Sequence, residues 1–419
     1  MTTTKNSEND GTVDAAPKVA SFDRYGISGE LERFRAKAKT EVVPGDDGAS
    51  KTQGSHPSLN DATQMAGVFH FRQLMGLKVE RPKDIVRSLI SQRQNVILIG
   101  RFGIGKTMLG TQLSVHLALG REFLGLNIPR AFRTMYLDFE NDLGDMKDRL
   151  SKQTASFQLS QAESALLDEN WIYGDAGDDE NPLHGIKLDD SDRTPLEPLI
   201  SQMQKHRPEV VFIDNLGLVA TKGDLTDPEE AARFYDNLKY IRSKTETLQD
   251  GAFVVFHHLT KPGEYQSNIS LLTSPYEYLS RARGSGRVLD FARSRLALAE
   301  EMVGAKKCHI LNGINRSAVV SPLILQFNSE TLSFERHEDT KLRFDAVFST
   351  RPRGKEIYRQ LPEEEFKFSD AEKLQDPSTG KAINKGTLSD TLKVAVANDF
   401  IRHDQRTGIY KKVFDPQSD

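Results

Sequence analysis

Lys106 and Thr107 close the run Gly100-Arg101-Phe102-Gly103-Ile104-Gly105-Lys106-Thr107, which matches G-x-x-x-x-G-K-[ST] in full. Glycines let the backbone turn so tightly that consecutive N–H groups aim at one anion. In such a cradle Lys106 reaches the β and γ phosphates of a nucleotide, and the Thr107 hydroxyl ligates Mg²⁺. The preceding "NVILIG" reads as a strand. The stretch from Met108 reads as a helix whose positive end faces the phosphates. Gly100 to Met108 are therefore the expected ATP contacts.

Hydrolysis needs more than a cradle. "VVFIDN" is a buried-strand pattern that ends in Asp214, the usual support for a Mg²⁺-bound water. Asn215 follows it where many nucleotidases carry a second acid, so the base must come from elsewhere. "TMYLDFEND" supplies Glu140, placed to deprotonate an attacking water; the other reading is that Glu140 caps a helix starting at Asn141-Asp142. "AFVVFHHLTK" ends in His257 and His258, read as a γ-phosphate sensor or as ordinary polar strand-end residues. They are poor joint metal ligands, because neighbours on a strand point to opposite faces. "LSRARGSGRVLDFARSRLAL" gathers Arg281, Arg283, Arg287, Arg293 and Arg295 around a Gly-Ser-Gly turn. That density suits either a solvated surface or a guanidinium reaching across a subunit boundary to charge developing on the γ-phosphate.

These residues must be carried to one place. Between Val68 and about Glu335, short apolar runs ("NVILIG", "RTMYLDFE", "VVFIDN", "AFVVFHH", "CHILNGI") alternate with helix-like stretches. The pattern predicts an α/β fold, a mostly parallel sheet flanked by helices. "SPLILQFNSETLSFER" predicts an antiparallel strand pair at its edge. Three segments are expected: 1–65, mostly disordered; 66–340, the nucleotide-binding domain; 341–419, a small C-terminal domain. The first is poor in large apolar residues and cannot offset its ordering entropy; "SGELERFRAKAK" within it reads as a transient helix or a docking arm. In the last, "RGKEIYRQL", "FSDAEKL" and "TLSDTLKVAVANDF" read as helices and "FIRHDQRTGIYKKVF" as a hairpin, the order of a winged helix-turn-helix. A helix from Ser389 would present Lys385 and Lys393 to a major groove. The hairpin would lay Arg402, Arg406, Lys411 and Lys412 along phosphates.

Composition narrows the classes. Charged residues make up 28% and hydrophobic residues 37%, with a net charge of −4, so nucleic acid is not announced by overall balance. Residues 341–419 hold 15 Lys and Arg against 13 Asp and Glu, so charge does not decide there either. Cys308 is the only cysteine, which excludes an internal disulfide. No apolar run approaches the roughly 18 residues of a membrane span, and the N-terminus has no secretion-like apolar segment, so a cytoplasmic protein without membrane contact is expected.

Taken in order, these elements resemble the RecA-like ATPases, and most closely the hexameric plasmid replicative helicase RepA and its relatives, over roughly Asn95 to Leu298. The resemblance implies Glu140 as hydrolytic base and His257 and His258 as the family's paired histidines. It aligns Arg283-Gly284-Ser285, Asp290 and Arg293 with the family's arginine segment, with Arg293 as the trans arginine. It implies a homo-oligomer, a hexamer, acting on DNA; the DNA is expected as a single strand in a central channel and/or as duplex through the winged helix, which is an addition to the family's minimal helicase. The loop between His258 and Arg281, where such proteins contact DNA, holds Lys261 as its one cation. Three activities stay open: a replicative helicase or translocase of a mobile element, an ATPase that remodels DNA in recombination or replication initiation without unwinding, and a non-enzymatic ATP-controlled DNA-binding regulator.

Overall fold

The computed structural model describes residues 69–419, apart from positions 179, 223–224, 260–268, 283–285, 291, 319, 378, 405 and 417–419. The expectations for 1–65, including the helix read at Ser28 to Lys39, lie outside the described residues, as do Lys261 and Arg283. An N-terminal unit ends at Val79, and its one described helix is Phe71–Gly76.

The unit from Glu80 onward is built on a nine-stranded sheet. Its strands in chain order are β1 Asn95–Gly100, β2 Thr134–Asp138, β3 Trp171–Asp175, β4 Val210–Asp214, β5 Ala252–His258, β6 Ser294–Val303, β7 Lys306–Asn315, β8 Leu323–Asn328 and β9 Ser333–Arg336. Across the sheet they run β9-β8-β7-β6-β1-β5-β4-β2-β3. The strands from β6 to β3 are mutually parallel, and β7, β8 and β9 add antiparallel pairs. The mostly parallel sheet flanked by helices is thus present. Two details differ from the sequence reading. "CHILNGI" lies in an antiparallel strand, because β6 turns straight back through Gly304 and leaves no crossover helix. The edge strand β3, "WIYGD", was not foreseen; its residues are only half-buried and lack a continuous apolar run.

Both faces of the sheet are covered, which is why the parallel strands read as unbroken apolar runs. Ile97, Ile99, Leu137, Ile213 and Val255 point to one side. There they meet Leu199 and Met203 of α4 (Glu197–His206) and Phe234 and Leu238 of α5 (Pro228–Lys244). Val96, Leu98, Tyr136, Phe212 and Phe256 point to the other side, against Leu109, Leu113 and Leu117 of α1 (Lys106–Leu119). α2 (Leu143–Ala155) and α3 (Gln161–Asn170) complete that layer, each begun by a side-chain cap, Asp142 and Ser160.

The strand order decides where chemistry can sit. β5 stands between β1 and β4, and the register pairs Gly100 with His258, Ile213 with Val255, and Asp138 with Asp214. The carboxyl ends of four strands therefore meet at one end of the sheet, the usual ligand side of a parallel α/β fold.

Past β9 come α6 (Thr340–Ser349), α7 (Pro352–Gln360), β10 (Phe366–Lys367), α8 (Phe368–Ala371), α9 (Lys385–Ala397), β11 (Ile401–Asp404) and β12 (Ile409–Lys412). The three strands form one antiparallel sheet, ordered β10-β12-β11, over a cluster that includes Phe344, Phe348, Tyr358, Leu392 and Phe400. α9 starts at Lys385 rather than Ser389, because the Asn384 side chain accepts the N–H groups of Gly386 and Thr387.

α1 lies so close to the sheet that Gly110 has no room for a side chain: a Cβ there would stand 2.0 Å from Phe256 Cζ. Gly110→Ala should lower stability by about 1–3 kcal/mol through overpacking, despite alanine's better helix propensity. Urea unfolding monitored by circular dichroism checks this, and an unchanged midpoint would contradict it.

Candidate active site

The cradle forms as its sequence requires. Gly103 and Gly105 take φ of 73° and 97°, a left-handed conformation that a side chain resists, and Gly105 caps α1. Lys106, the first residue of α1, is only 6% exposed. Its Nζ donates to the carbonyls of Gly100 (3.1 Å) and Arg101 (3.0 Å) and lies 3.2 Å from His258 Nδ1. Burial lowers its pKa to about 8, although the charges of Asp214 and Glu140 act to raise it. The ammonium is held among carbonyl oxygens and distant carboxylates, an environment that a phosphate completes.

Asp214 ends β4 and is 1% exposed. Burial pushes its carboxyl up to about 7; neighbouring Asp138 and Glu140 act the same way, while hydrogen bonds from Thr107 and Tyr136 oppose the rise. Tyr136 donates its hydroxyl to Asp214 at 2.8 Å. Thr107 and Asp214 therefore stand beside each other at the carboxyl end of β4. A buried carboxylate beside a hydroxyl is an oxygen donor set that fits Mg²⁺, whose remaining ligands are phosphates and water. No group of three or more His, Cys, Asp or Glu able to hold a metal by protein ligands alone occurs among the described residues.

Glu140 stands two residues past the end of β2 and is exposed. It does not cap α2; Asp142 does, accepting the N–H of Gly144 at 2.7 Å. Instead the Asn215 side-chain amide donates to Glu140 Oε2. Glu140 and Asn215 line an open cavity of about 350 Å³ with Phe102, Gly217, Leu218, His257 and His258. A cradle residue, the base candidate and both histidines thus share one space. The histidines differ in exposure: His257 is 1% exposed, and His258 is half-buried beside Lys106.

Asp138 was missed by sequence reasoning. It is fully buried, and its Oδ1 accepts the N–H groups of Glu140 and Asn141, both at 3.0 Å, which fixes how the chain leaves β2. The signal was available: "YLD" and "FID" end neighbouring strands at the same register. The grip of Asn215 on Glu140 carries no sequence signal.

The arginine segment is spread along the sheet. Ala282 bridges Leu259, whose N–H donates to the Gly100 carbonyl at 3.3 Å, so the segment begins beside the cradle. Arg281 is buried, with its guanidinium 5.5 Å from the Tyr278 ring. Arg293 is exposed, and its N–H donates to the carbonyl of Asn95 at the start of β1. It therefore sits at the opposite end of the sheet from Gly100, roughly 17 Å away at about 3.3 Å per residue. Its backbone is thus remote from the cradle. Arg295 lies 3.4 Å from Asp290.

In the C-terminal region, Arg402 and Arg406 are exposed. Lys385, Lys393 and Lys411 are exposed and lie 3.0, 3.9 and 3.8 Å from Glu372, Asp390 and Glu365. Surface pairs of this kind are worth about 0–1 kcal/mol and yield to other anions. Lys412 is a correction: its side chain is 2% exposed, with Nζ on the Leu361 carbonyl (3.2 Å) and Glu363 (2.7 Å), so it is withdrawn from any phosphate contact.

Comparison with known proteins agrees with the cradle. A family model described as an AAA domain matches residues 63–264, just under half of the chain and all the site residues from Gly100 to His258. Over those residues the chain is similar to P-loop ATPases. A solved ATPase domain resembles it with a TM-score of 0.40 at 15% identity, over 59% of this chain and 85% of that one. A KaiC-like protein from Pyrococcus horikoshii gives 0.39 at 12% identity, over 60% of this chain and 93% of that one. No curated protein matches the sequence. No described helix is long and apolar enough to cross a membrane.

The raised Asp214 pKa has a sign. A carboxyl near 7 when folded and near 3.8 when unfolded binds more protons in the folded state between those values. Its contribution to stability is therefore present below about pH 4 and lost as pH rises through about 7. Without nucleotide or Mg²⁺, Asp214→Asn should be more stable than wild type at pH 8, and the gap should shrink towards pH 5. Denaturant melts at the two pH values check this; a gap that widens at low pH would contradict it.

Proposed function

We propose that this chain is an ATP-hydrolysing motor that acts on DNA, of the RepA-like replicative helicase or translocase kind. The observation that carries the ATPase reading is the shared cavity, in which Phe102 of the cradle, Glu140 and the two histidines surround the space beyond Lys106. In this reading Gly100 to Met108 wrap the phosphates. Lys106 leaves the Gly100 and Arg101 carbonyls for the β and γ phosphates, and Thr107 and Asp214 hold Mg²⁺. The ion, when bound, offsets charge on the phosphate oxygens. Glu140, oriented by Asn215 and by the turn that Asp138 fixes, takes a proton from the attacking water. His258, which already faces Lys106, registers whether the γ-phosphate is present.

The position of Arg293 supports a homo-oligomer, a hexamer in this proposal. An arginine at the far end of its own sheet can meet a γ-phosphate only across a heterologous interface, and such interfaces close into rings or continue as filaments. Arg283 begins the same segment. We further assign residues 66–340 to the ATPase domain and 341–419 to a winged helix that binds duplex DNA through Lys385, Lys393, Arg402, Arg406 and Lys411. The order α7, β10, α8, α9, β11, β12 supports that assignment.

A forked-DNA strand-displacement assay run with an ATPase readout tests the proposal, with blunt duplex and single strands as controls. The expected result is ATP-dependent displacement and DNA-stimulated hydrolysis, both abolished by Lys106→Ala. ATP hydrolysis that no DNA stimulates, with no displacement, would overturn the motor reading and leave the ATPase alone.

A further inference from the structure

The cradle touches one residue from the far edge of the sheet. At Gly105 a Cβ would come within 2.8 Å of Phe334 Cζ, so the β9 phenyl ring lies directly on the turn that holds the phosphates. Two turns along α1, Gln112 clamps the same residue from both sides: its amide donates to the Phe334 carbonyl (2.9 Å) and its oxygen accepts the Phe334 N–H (2.9 Å). From α2, Gln153 donates to the carbonyls of both Met108 (2.9 Å) and Leu332 (2.8 Å). β9 is thus fastened to α1 by buried side chains separated from it by about half the sequence.

Two residues further on, and so on the same face of β9, stands Arg336. Its Nε donates to the Leu124 carbonyl, in the loop just beyond α1. Its remaining nitrogens reach the other way, to the Ala397 carbonyl at the end of α9 (2.8 Å) and to Asp399 just after it. Only 13% of the Arg336 side chain is exposed, and a Cβ on Gly125 would collide with the guanidinium at 2.5 Å. Arg343 adds a second tie, donating to the Asn398 carbonyl at 3.1 Å. A cation at these carbonyls also meets the negative end of the α9 dipole. A buried, fully engaged guanidinium cannot slide against its partners without leaving them unpaired, so both sides move together or the bonds break.

We propose that Phe334 and Arg336 are positioning residues that couple occupancy of the cradle to the seating of α9. This rests on the nucleotide reading of the cradle. When phosphates fill the turn around Gly105, the ring on it shifts, β9 shifts with it, and Arg336 re-seats the end of α9 from Ala397 to Asp399. Coupling between sites is reciprocal, so whatever α9 binds alters nucleotide affinity by the same factor.

The test uses the full chain and hydrogen–deuterium exchange, with and without saturating Mg²⁺ and a non-hydrolysable ATP analogue; calorimetry measures analogue binding separately. In wild type, exchange at residues 395–400 should change about fivefold or more on binding, the lower end of usual coupling strengths. Arg336→Met should keep analogue affinity and lose that change. Asp399→Asn, at an exposed position outside the cradle, removes only the ion pair and should reduce the change without unfolding anything, which circular dichroism verifies. Wild type that binds the analogue with no change at 395–400 would overturn the coupling and leave the nucleotide reading intact. So would folded variants that keep the full change. Failure of wild type to bind the analogue at all would overturn both.

Discussion

Burying an ammonium and a carboxylate at one end of a parallel sheet is the constraint on which the rest of this molecule depends. Lys106 and Asp214 are both almost fully enclosed, and burial shifts each towards its neutral form. Neither is directly paired with the other. Lys106 rests on two carbonyls and a histidine, and Asp214 on a threonine and a tyrosine. Such an arrangement weakens the fold locally and makes sense where an anion and a cation are to be received together. The strand order serves the same end, because β5 between β1 and β4 spaces the lysine from the carboxylates and inserts His258 at the level of Gly100.

Glu140, proposed above as the base, is exposed two residues beyond its strand, yet it is oriented from two sides. Asp138 gathers the N–H groups of the turn, and Asn215 holds the carboxylate. The asparagine that follows Asp214 thus replaces an acid in position while directing an acid from the next strand. Asp138 and Asp214, adjacent in register, set two buried carboxyls side by side at this end of the sheet.

Much of this was legible in the sequence, and for physical reasons. The cradle is local: its glycines, lysine and threonine lie within eight residues, and steric limits on φ leave such a run few shapes. Strands buried on both faces announce themselves as apolar runs, so β1, β2, β4 and β5 could be read directly, although the part played by Asp138 at the end of β2 could not. β3 could not, since an edge strand with half-buried tyrosine and glycine carries no such run. Lys412 was misread because alternation along β12 turns it inward onto Glu363, and a pair of adjacent lysines does not reveal which one faces solvent. The start of α9 was misplaced by the glycine at 386, which Asn384 tolerates as a cap. Contacts such as Gln112 with Phe334, far apart along the chain, leave no trace in a single sequence.

Glu140→Gln tests the central claim most directly, because it preserves shape and the Asn215 contact while removing the base. Measured together, ATP binding by calorimetry and steady-state phosphate release should part company: affinity within about twofold of wild type, and turnover lower by about a hundredfold or more, the usual contribution of a general base. Turnover at the wild-type rate with unchanged affinity would contradict the assignment of Glu140 and, with it, the account of how this site works.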